Sequence, residues 1–390
     1  MFGIGRYIKN QVADMLSSYY LRKVKCGSKI KVAFLVTEPS VWDKQELVFK
    51  EFKYRKIDTD IIVLPKYNLL NEDIVEYDFF SFYSDNVIRA YDGGDLIDLK
   101  KHGYTHVFYP TPYNEHYPIS LRSKEVAKYA KVCYIAYGYT GSDIFDELNT
   151  NEDFFRYVSY AFMTSDRQVD VLKKRFKRNY EKGLQNFCNL GYPVLEYYSK
   201  LEWKSNYNNI LWTPRWSYDD KVGGSHFFEL KDKFIDIVRH ADGYSGTIRP
   251  HPLMFTNFIK MGKMSEIEKD AYLNNANEAG ISLSCNKFVE EDYRKANILI
   301  TDFSSIIIMY MLTGKPIIYC ESQIKFNESY SRLKEGMYIA RNVDDVSRFV
   351  KMIISGKDPK KEIRKEIAKL LKEENKDATK NIVDCVMKIN

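Results

Sequence analysis

The chain has 390 residues, 45% hydrophobic and 29% charged, with a formal net charge of +6. That length exceeds what one core usually organises and predicts two domains, and the composition excludes a disordered chain. The charge suits an anionic substrate or membrane surface but is too small for a nucleic-acid footprint. Six scattered cysteines, with no C-x-x-C pair and no neighbouring histidine set, argue against a structural zinc and predict reduced thiols in a cytoplasmic protein.

Residues 1–25 carry Phe2, Ile4, Tyr7, Ile8, Val12, Met15, Leu16, Tyr19 and Tyr20 at near-helical spacing. Arg6, Lys9, Arg22, Lys23 and Lys25 accompany them against one acid, Asp14. A basic amphipathic helix of this kind can lie on an anionic membrane or pack on the domain that follows; the pattern leaves both open. Gly3 and Gly5 make no dinucleotide loop, because no strand precedes them. The longest uninterrupted apolar run, Ile306–Leu312, is too short to cross a bilayer, and no cleaved leader is predicted.

Apolar runs predict strands at Ile30–Val36, Asp60–Leu64, His106–Tyr109, Val132–Ala136, Tyr160–Met163 and Asn186–Leu190. Helical patterns lie between them, at Gln45–Arg55 and Val169–Lys182 for example. Strands alternating with helices predict a doubly wound parallel sheet over 26–200. Ser199–Asn209 is polar and weakly patterned, as a linker would be. The alternation then restarts over 209–358 with Ile210–Trp212, Gly246–Arg249, Ile281–Leu283, Ile298–Thr301, Ile317–Cys320 and Met337–Ala340. Two Rossmann-like halves of an α/β protein describe a GT-B-like architecture, with the site expected in the interdomain cleft. A C-terminal helix is expected over 359–390, its Lys360–Glu374 charges forming a solvated face.

Two stretches of the second half stand out. Ile298–Cys320 reads as strand, tight turn, helix, glycine stop and strand, with Ser304 and Ser305 at the turn after Asp302. A serine there is an ordinary helix cap or, through its hydroxyl and the free N–H groups, an anion contact. Gly246–Pro252 (GTIRPHP) is a short strand ending in Arg249 and His251, each followed by a proline that ends regular structure. In a parallel sheet the carboxyl ends of strands share one edge. A cation, an imidazole and a helix start would then gather on one rim, and a diphosphate is the simplest ligand needing all three. Arg215, just past a strand end, is a further phosphate contact or the partner of an ion pair. Gly223-Gly224-Ser225-His226 reads as a plain turn in preference to a mobile cleft loop.

RPHP followed by TDFSS resembles the paired signature of the CDP-glycerol glycerophosphotransferase family, the teichoic-acid primases and polymerases of bacterial envelopes. Ile210–Trp216, Gly191-Tyr192-Pro193 and Thr111-Pro112 extend the resemblance over about Thr105 to Tyr338. It implies transfer of glycerol phosphate, or a related polyol phosphate, from a CDP-linked donor to a hydroxyl of an envelope polymer, its primer or a lipid-linked acceptor, with release of CMP. A peripheral place at the inner face of the membrane is expected, with no cofactor and no metal-ligating residues assigned; the metal requirement and homo-oligomerisation are left open. Arg249, Arg215, Asp302, Ser304, Ser305 and Thr111 then become substrate contacts, and His251 the donor to a phosphate oxygen. The family's His-Gly-Thr-Pro segment, whose histidine is the supposed base, is Tyr109-Pro110-Thr111-Pro112 here. His116 is the expected replacement, with Glu115 as its partner or substitute. Met309, where many relatives carry an aspartate, is a second departure. The competing readings are a GT-B glycosyltransferase using a nucleotide-sugar for capsule or wall polysaccharide and a scaffold protein without activity.

Overall fold

Strands buried on both faces read as unbroken apolar runs, and the computed structural model turns nearly every such run into a parallel strand. It describes residues 2–24, 29–65, 77–81, 86–92, 94–204, 207–219, 223–286 and 288–388. The chain divides into two units. Unit 1 is Met1–Thr140, Ile144–Tyr197 and Asn375–Asn390; unit 2 is Gly141–Asp143 and Tyr198–Glu374.

In unit 1 the strands are β1 (Lys31–Val36), β2 (Asp58–Val63), β3 (Val87–Arg89), the short antiparallel pair β4 (Tyr91–Asp92) and β5 (Asp95–Leu96), then β6 (His106–Tyr109), β7 (Lys131–Ile135), β8 (Val158–Phe162) and β9 (Asn186–Cys188). Seven of them form one parallel sheet in the order β3-β2-β1-β6-β7-β8-β9. The order reverses between β1 and β6, the doubly wound switch point. One face packs Phe34, Phe49, Phe52, Trp42 and Phe108 with Ile382, Val383 and Val386 of the terminal helix Ala378–Lys388. His106 is fully buried in this sheet, and burial lowers its pKa to about 3, so it is a neutral core residue.

Unit 2 contains β10 (Asn209–Thr213), β11 (Ser245–Ile248), β12 (Ile281–Leu283), β13 (Ile298–Thr301), β14 (Ile317–Cys320) and β15 (Tyr338–Ala340). Its six-stranded parallel sheet has the order β12-β11-β10-β13-β14-β15, with the switch between β10 and β13. Trp212 of β10 lies beside Ile248 of β11, and Thr213 beside Thr301 of β13. The carboxyl ends of these three strands are therefore level, and the segments Arg249–Pro252, Pro214–Trp216 and Asp302–Ser305 leave from one edge.

Three expectations need correction. The pattern over Val169–Lys182 is two helices, Asp166–Arg175 and Lys177–Glu181, because Phe176 leaves helical geometry (φ −112°, ψ 33°) and is buried in the core. The C-terminal segment is also two helices, Lys361–Glu374 in unit 2 and Ala378–Lys388 in unit 1. Asp377, at φ 60°, ends any continuous helix between them, and the Asn375 side chain accepts the Tyr192 N–H at 2.8 Å. Finally, Lys361–Glu374 does not carry only solvated charge. Arg364 is fully buried, donating to the carbonyls of Gly314 (3.0 Å) and Gly336 (3.1 Å) and pairing with Asp358.

The N-terminal helix runs Phe2–Lys23; the side chains of residues 1–10, and Lys25, lie outside the described residues. Ser17, Ser18 and Leu21 are buried. Ser18 Oγ donates to Asn179 Oδ1 at 2.5 Å, Asn179 Nδ2 donates to Ser17 Oγ at 3.0 Å, and Asp14 pairs with Arg156. One side of the helix thus belongs to unit 1.

Candidate active site

On the unit 2 rim the organising group is Asp302, the residue after β13. Its carboxylate is fully buried and filled by neighbours. Oδ2 accepts the Arg215 N–H at 2.8 Å and Oδ1 meets His226 Nδ1 at 2.7 Å. Ser225 Oγ and the His226 N–H add longer contacts of 3.4 Å. Asp302, expected as a substrate contact, is therefore occupied by protein. It ties the loop after β10 to the turn after β13.

That tie fixes Arg215. Its Nη1 donates to the Phe303 carbonyl at 2.6 Å, and its guanidinium carbon lies 5.9 Å from the Trp216 ring and 5.5 Å from the Phe303 ring. Burial lowers its pKa, while the Asp302 charge acts in the opposite direction. Gly223, at φ 108°, passes so close that a Cβ there would lie 2.7 Å from Arg215 Nε. The Gly-Gly-Ser-His segment is thus a turn, as expected, but one that delivers His226 to Asp302.

Arg249 sits differently. Its Nη1 donates to Asp292 Oδ2 at 2.6 Å, to the Asn286 carbonyl at 2.9 Å and to Ser284 Oγ at 3.1 Å. Asp292 is buried, so much of the arginine's charge is answered inside the protein. His251 lies on the exposed rim with its ring 6.1 Å from that of Trp216. Its Nδ1 accepts the Leu253 N–H at 3.2 Å, which leaves the proton on Nε2. The protein mass behind the ring, and then the Arg215 charge, lower its pKa to about 4. At neutral pH it is a neutral hydrogen-bond donor. Ser304 Oγ accepts the Ile306 N–H at 3.3 Å, and the Ser304 carbonyl accepts from the Tyr330 hydroxyl at 3.4 Å. Ser305 is exposed and makes no side-chain cap to the six-residue helix Ile306–Met311.

In unit 1 the loop after β6 holds Thr111, Glu115 and His116. The expected loop contains two short turns of tight helix, Asn114–His116 and Ile119–Leu121. Thr111 Oγ1 lies 3.4 Å from His116 Nδ1 and 2.9 Å from the Tyr117 hydroxyl, and the Tyr113 ring is 5.1 Å from the imidazole. Glu115 is exposed. Tyr109, at the position of the family's histidine, is fully buried and donates its hydroxyl to the Leu121 carbonyl at 2.7 Å, so it is a core residue.

The chain matches the family described as CDP-glycerol:poly(glycerophosphate) glycerophosphotransferase over residues 151–388, more than half of its length. The chain belongs to this family. Among solved structures, a UDP-GlcNAc 2-epimerase from Neisseria meningitidis bound to UDP-GlcNAc is similar at a TM-score of 0.61 and 12% identity, over 92% of this chain and 100% of that one. A variant of the wall teichoic acid polymerase TagF is similar at a TM-score of 0.58 and 15% identity, over 98% and 95%. A TagF variant soaked with CDPG is similar at 0.55 and 13%, over 98% and 95%. At these identities the likeness shows the fold, which is GT-B-like. A comparison with curated protein sequences found no match.

For this glycerophosphotransferase-family chain, sequence reasoning missed Asp292 and the part His226 plays. No local signal marks Asp292; His226 was visible only as the end of a glycine turn. Among the described residues, His226, Asp302 and Cys320 form the set that could hold a metal ion, with ligand atoms within 4.8 Å of one another. Asp302 already takes the Arg215 and His226 donors at short range, which makes the set an Asp–His pair beside a buried thiol.

Proposed function

We propose that the chain transfers glycerol phosphate, or a related polyol phosphate, from its CDP derivative to a hydroxyl of a cell-envelope polymer or its primer, releasing CMP. The observation that carries this reading is the family match over residues 151–388, which contains both motifs of the unit 2 rim. In the reaction the acceptor oxygen attacks the distal phosphorus. The new P–O bond forms, the bond to the bridging oxygen breaks, and CMP leaves with the electron pair. Such a step needs position and charge more than covalent help from the protein.

On this reading the diphosphate lies against Arg215, His251, Ser304 and Ser305. Arg215 supplies charge where Asp302 holds it. Arg249, bound to Asp292, chiefly shapes the strand end and adds its remaining N–H groups. His251 acts as a neutral Nε2–H donor to a phosphate oxygen, because its lowered pKa leaves little imidazolium at pH 7. His116, beside Thr111, is the group proposed to take the acceptor's proton. Glu115 is its alternative.

Association with an anionic membrane at the inner face of the cell envelope is part of the same proposal. Val12, Met15 and Tyr19 are 59%, 60% and 58% exposed along one stripe of the N-terminal helix, and Arg22 and Lys23 close its last turn. The reading is tested by incubating the full chain with CDP-glycerol, CDP-ribitol and UDP-sugars and measuring CMP, UMP and UDP. CMP from a CDP-polyol supports it. UDP from a sugar donor would make the chain a glycosyltransferase, and no release from any donor would favour a scaffold.

A further inference from the structure

Cys188 and Cys385 take no part in the proposed transfer, yet they are placed together. Cys188 ends β9, the edge strand of the unit 1 sheet, and Cys385 lies on the terminal helix Ala378–Lys388. Both thiols are free and half-buried. Asn186, two residues before Cys188 and so on the same face of the strand, touches both sulfurs. Its Oδ1 accepts from Cys188 Sγ at 2.8 Å, and its Nδ2 donates to Cys385 Sγ at 3.6 Å. One side-chain amide thus touches both sulfurs and gathers the two thiols at a single place.

We infer that Cys188 and Cys385 are a site of oxidative modification, closed by a peroxide into an intrachain disulfide that fastens the terminal helix to the edge strand. The two sulfurs have different chemistry. The neighbouring Cys385 thiol lowers the pKa of Cys188, burial acts in the opposite direction, and the Lys173 charge lowers it further. The same contact, and then burial, raise that of Cys385. These directions assign the first attack to Cys188, once it has given up the proton it donates to Asn186 Oδ1, and the resolving role to Cys385.

Cys188 sulfur attacks a peroxide oxygen, the O–O bond breaks, and the departing oxygen leaves as water after taking up a proton. The sulfenic acid formed on Cys188 is then attacked by Cys385 sulfur. The S–S bond forms, the S–O bond breaks, and the hydroxyl leaves as a second water with the thiol proton of Cys385. Two thiols lose two electrons, and the peroxide gains them. The bond would fix a helix that contributes Ile382, Val383 and Val386 to the unit 1 core.

The full chain is oxidised with hydrogen peroxide, its remaining thiols are alkylated, and the peptides are mapped with and without reduction. The expected result is the loss of two alkylatable thiols per chain and a linked pair of peptides containing Cys188 and Cys385, reversed by dithiothreitol. In Cys385→Ser, oxidation should stop at a sulfenic acid on Cys188 that dimedone traps. In Cys188→Ser, the Cys385 thiol should stay alkylatable. The proposal is overturned if both thiols of the wild type remain alkylatable, if Cys385 pairs with the buried Cys133, or if the product is a dimer linked through the exposed Cys285. The wild-type peptide map decides even if a serine variant misfolds.

Discussion

Replacing Asp302 tests whether one buried carboxylate holds the unit 2 rim together. Two short contacts converge on it, from the Arg215 N–H at 2.8 Å and His226 Nδ1 at 2.7 Å, while the contacts of 3.4 Å add little. Hydrogen bonds to a charged group contribute about 1.5–3 kcal/mol each, so Asp302→Ala should cost about 3–6 kcal/mol. Asp302→Asn keeps the shape and one acceptor, so about 1–3 kcal/mol is expected. Urea unfolding should show midpoints falling in the order wild type, Asn, Ala, with an unchanged slope. Calorimetry on the Asn variant should show weaker binding of CDP-glycerol but unchanged binding of cytidine, because the loss acts through Arg215. An Ala variant within about 0.5 kcal/mol of wild type would refute the reasoning, since that is the scatter of ordinary surface substitutions.

Other consequences follow from single side chains. His251 should titrate near pH 4 by NMR, and a value of 6–7 would contradict its placement. Because its folded pKa lies below the unfolded one, its contribution to stability is complete above about pH 6.5 and is lost as pH falls toward 4. Arg364→Ala should destabilise the chain by about 3–5 kcal/mol, since it leaves two carbonyls and Asp358 without their buried partner; a loss below about 1 kcal/mol would refute that role. Met15→Glu with Val12→Glu should release the chain from anionic vesicles in a salt-sensitive assay without shifting the unfolding midpoint, and undiminished sedimentation would rule the exposed stripe out. His116→Ala should slow transfer by about 100- to 10,000-fold with donor affinity kept; normal turnover, with Glu115→Gln inactive, would move the base to the carboxylate.

How far the chain could be read in advance follows from the range of each interaction. Ile298–Thr301 and Ile317–Cys320 were legible because a parallel strand covered on both faces is an unbroken apolar run. Val87–Arg89 was not, because its two apolar residues are followed directly by the charged Arg89. The split at Phe176 escaped because its apolar side chain fits a helical pattern even where the backbone leaves it. Polar pairing was the least legible. Arg249 meets Asp292 across 43 residues, and Arg364 reaches carbonyls 50 and 28 residues away. Arginines in strand ends and charged helices look solvated until their partners are placed. The two rim motifs stood out because their residue types are unusual together, whereas the Asp302–His226 link depends on the switch point between β10 and β13.

The most direct measurement is transfer of radiolabelled glycerol phosphate from CDP-glycerol to a primed acceptor, with wild type and His251→Ala compared at the same folded concentration. The account predicts polymer labelling with matching CMP release by the wild type, and a rate about 100- to 1,000-fold lower in the variant with its unfolding midpoint nearly unchanged. Equal labelling by the two proteins, or labelling by neither while a nucleotide-sugar is consumed, would contradict it.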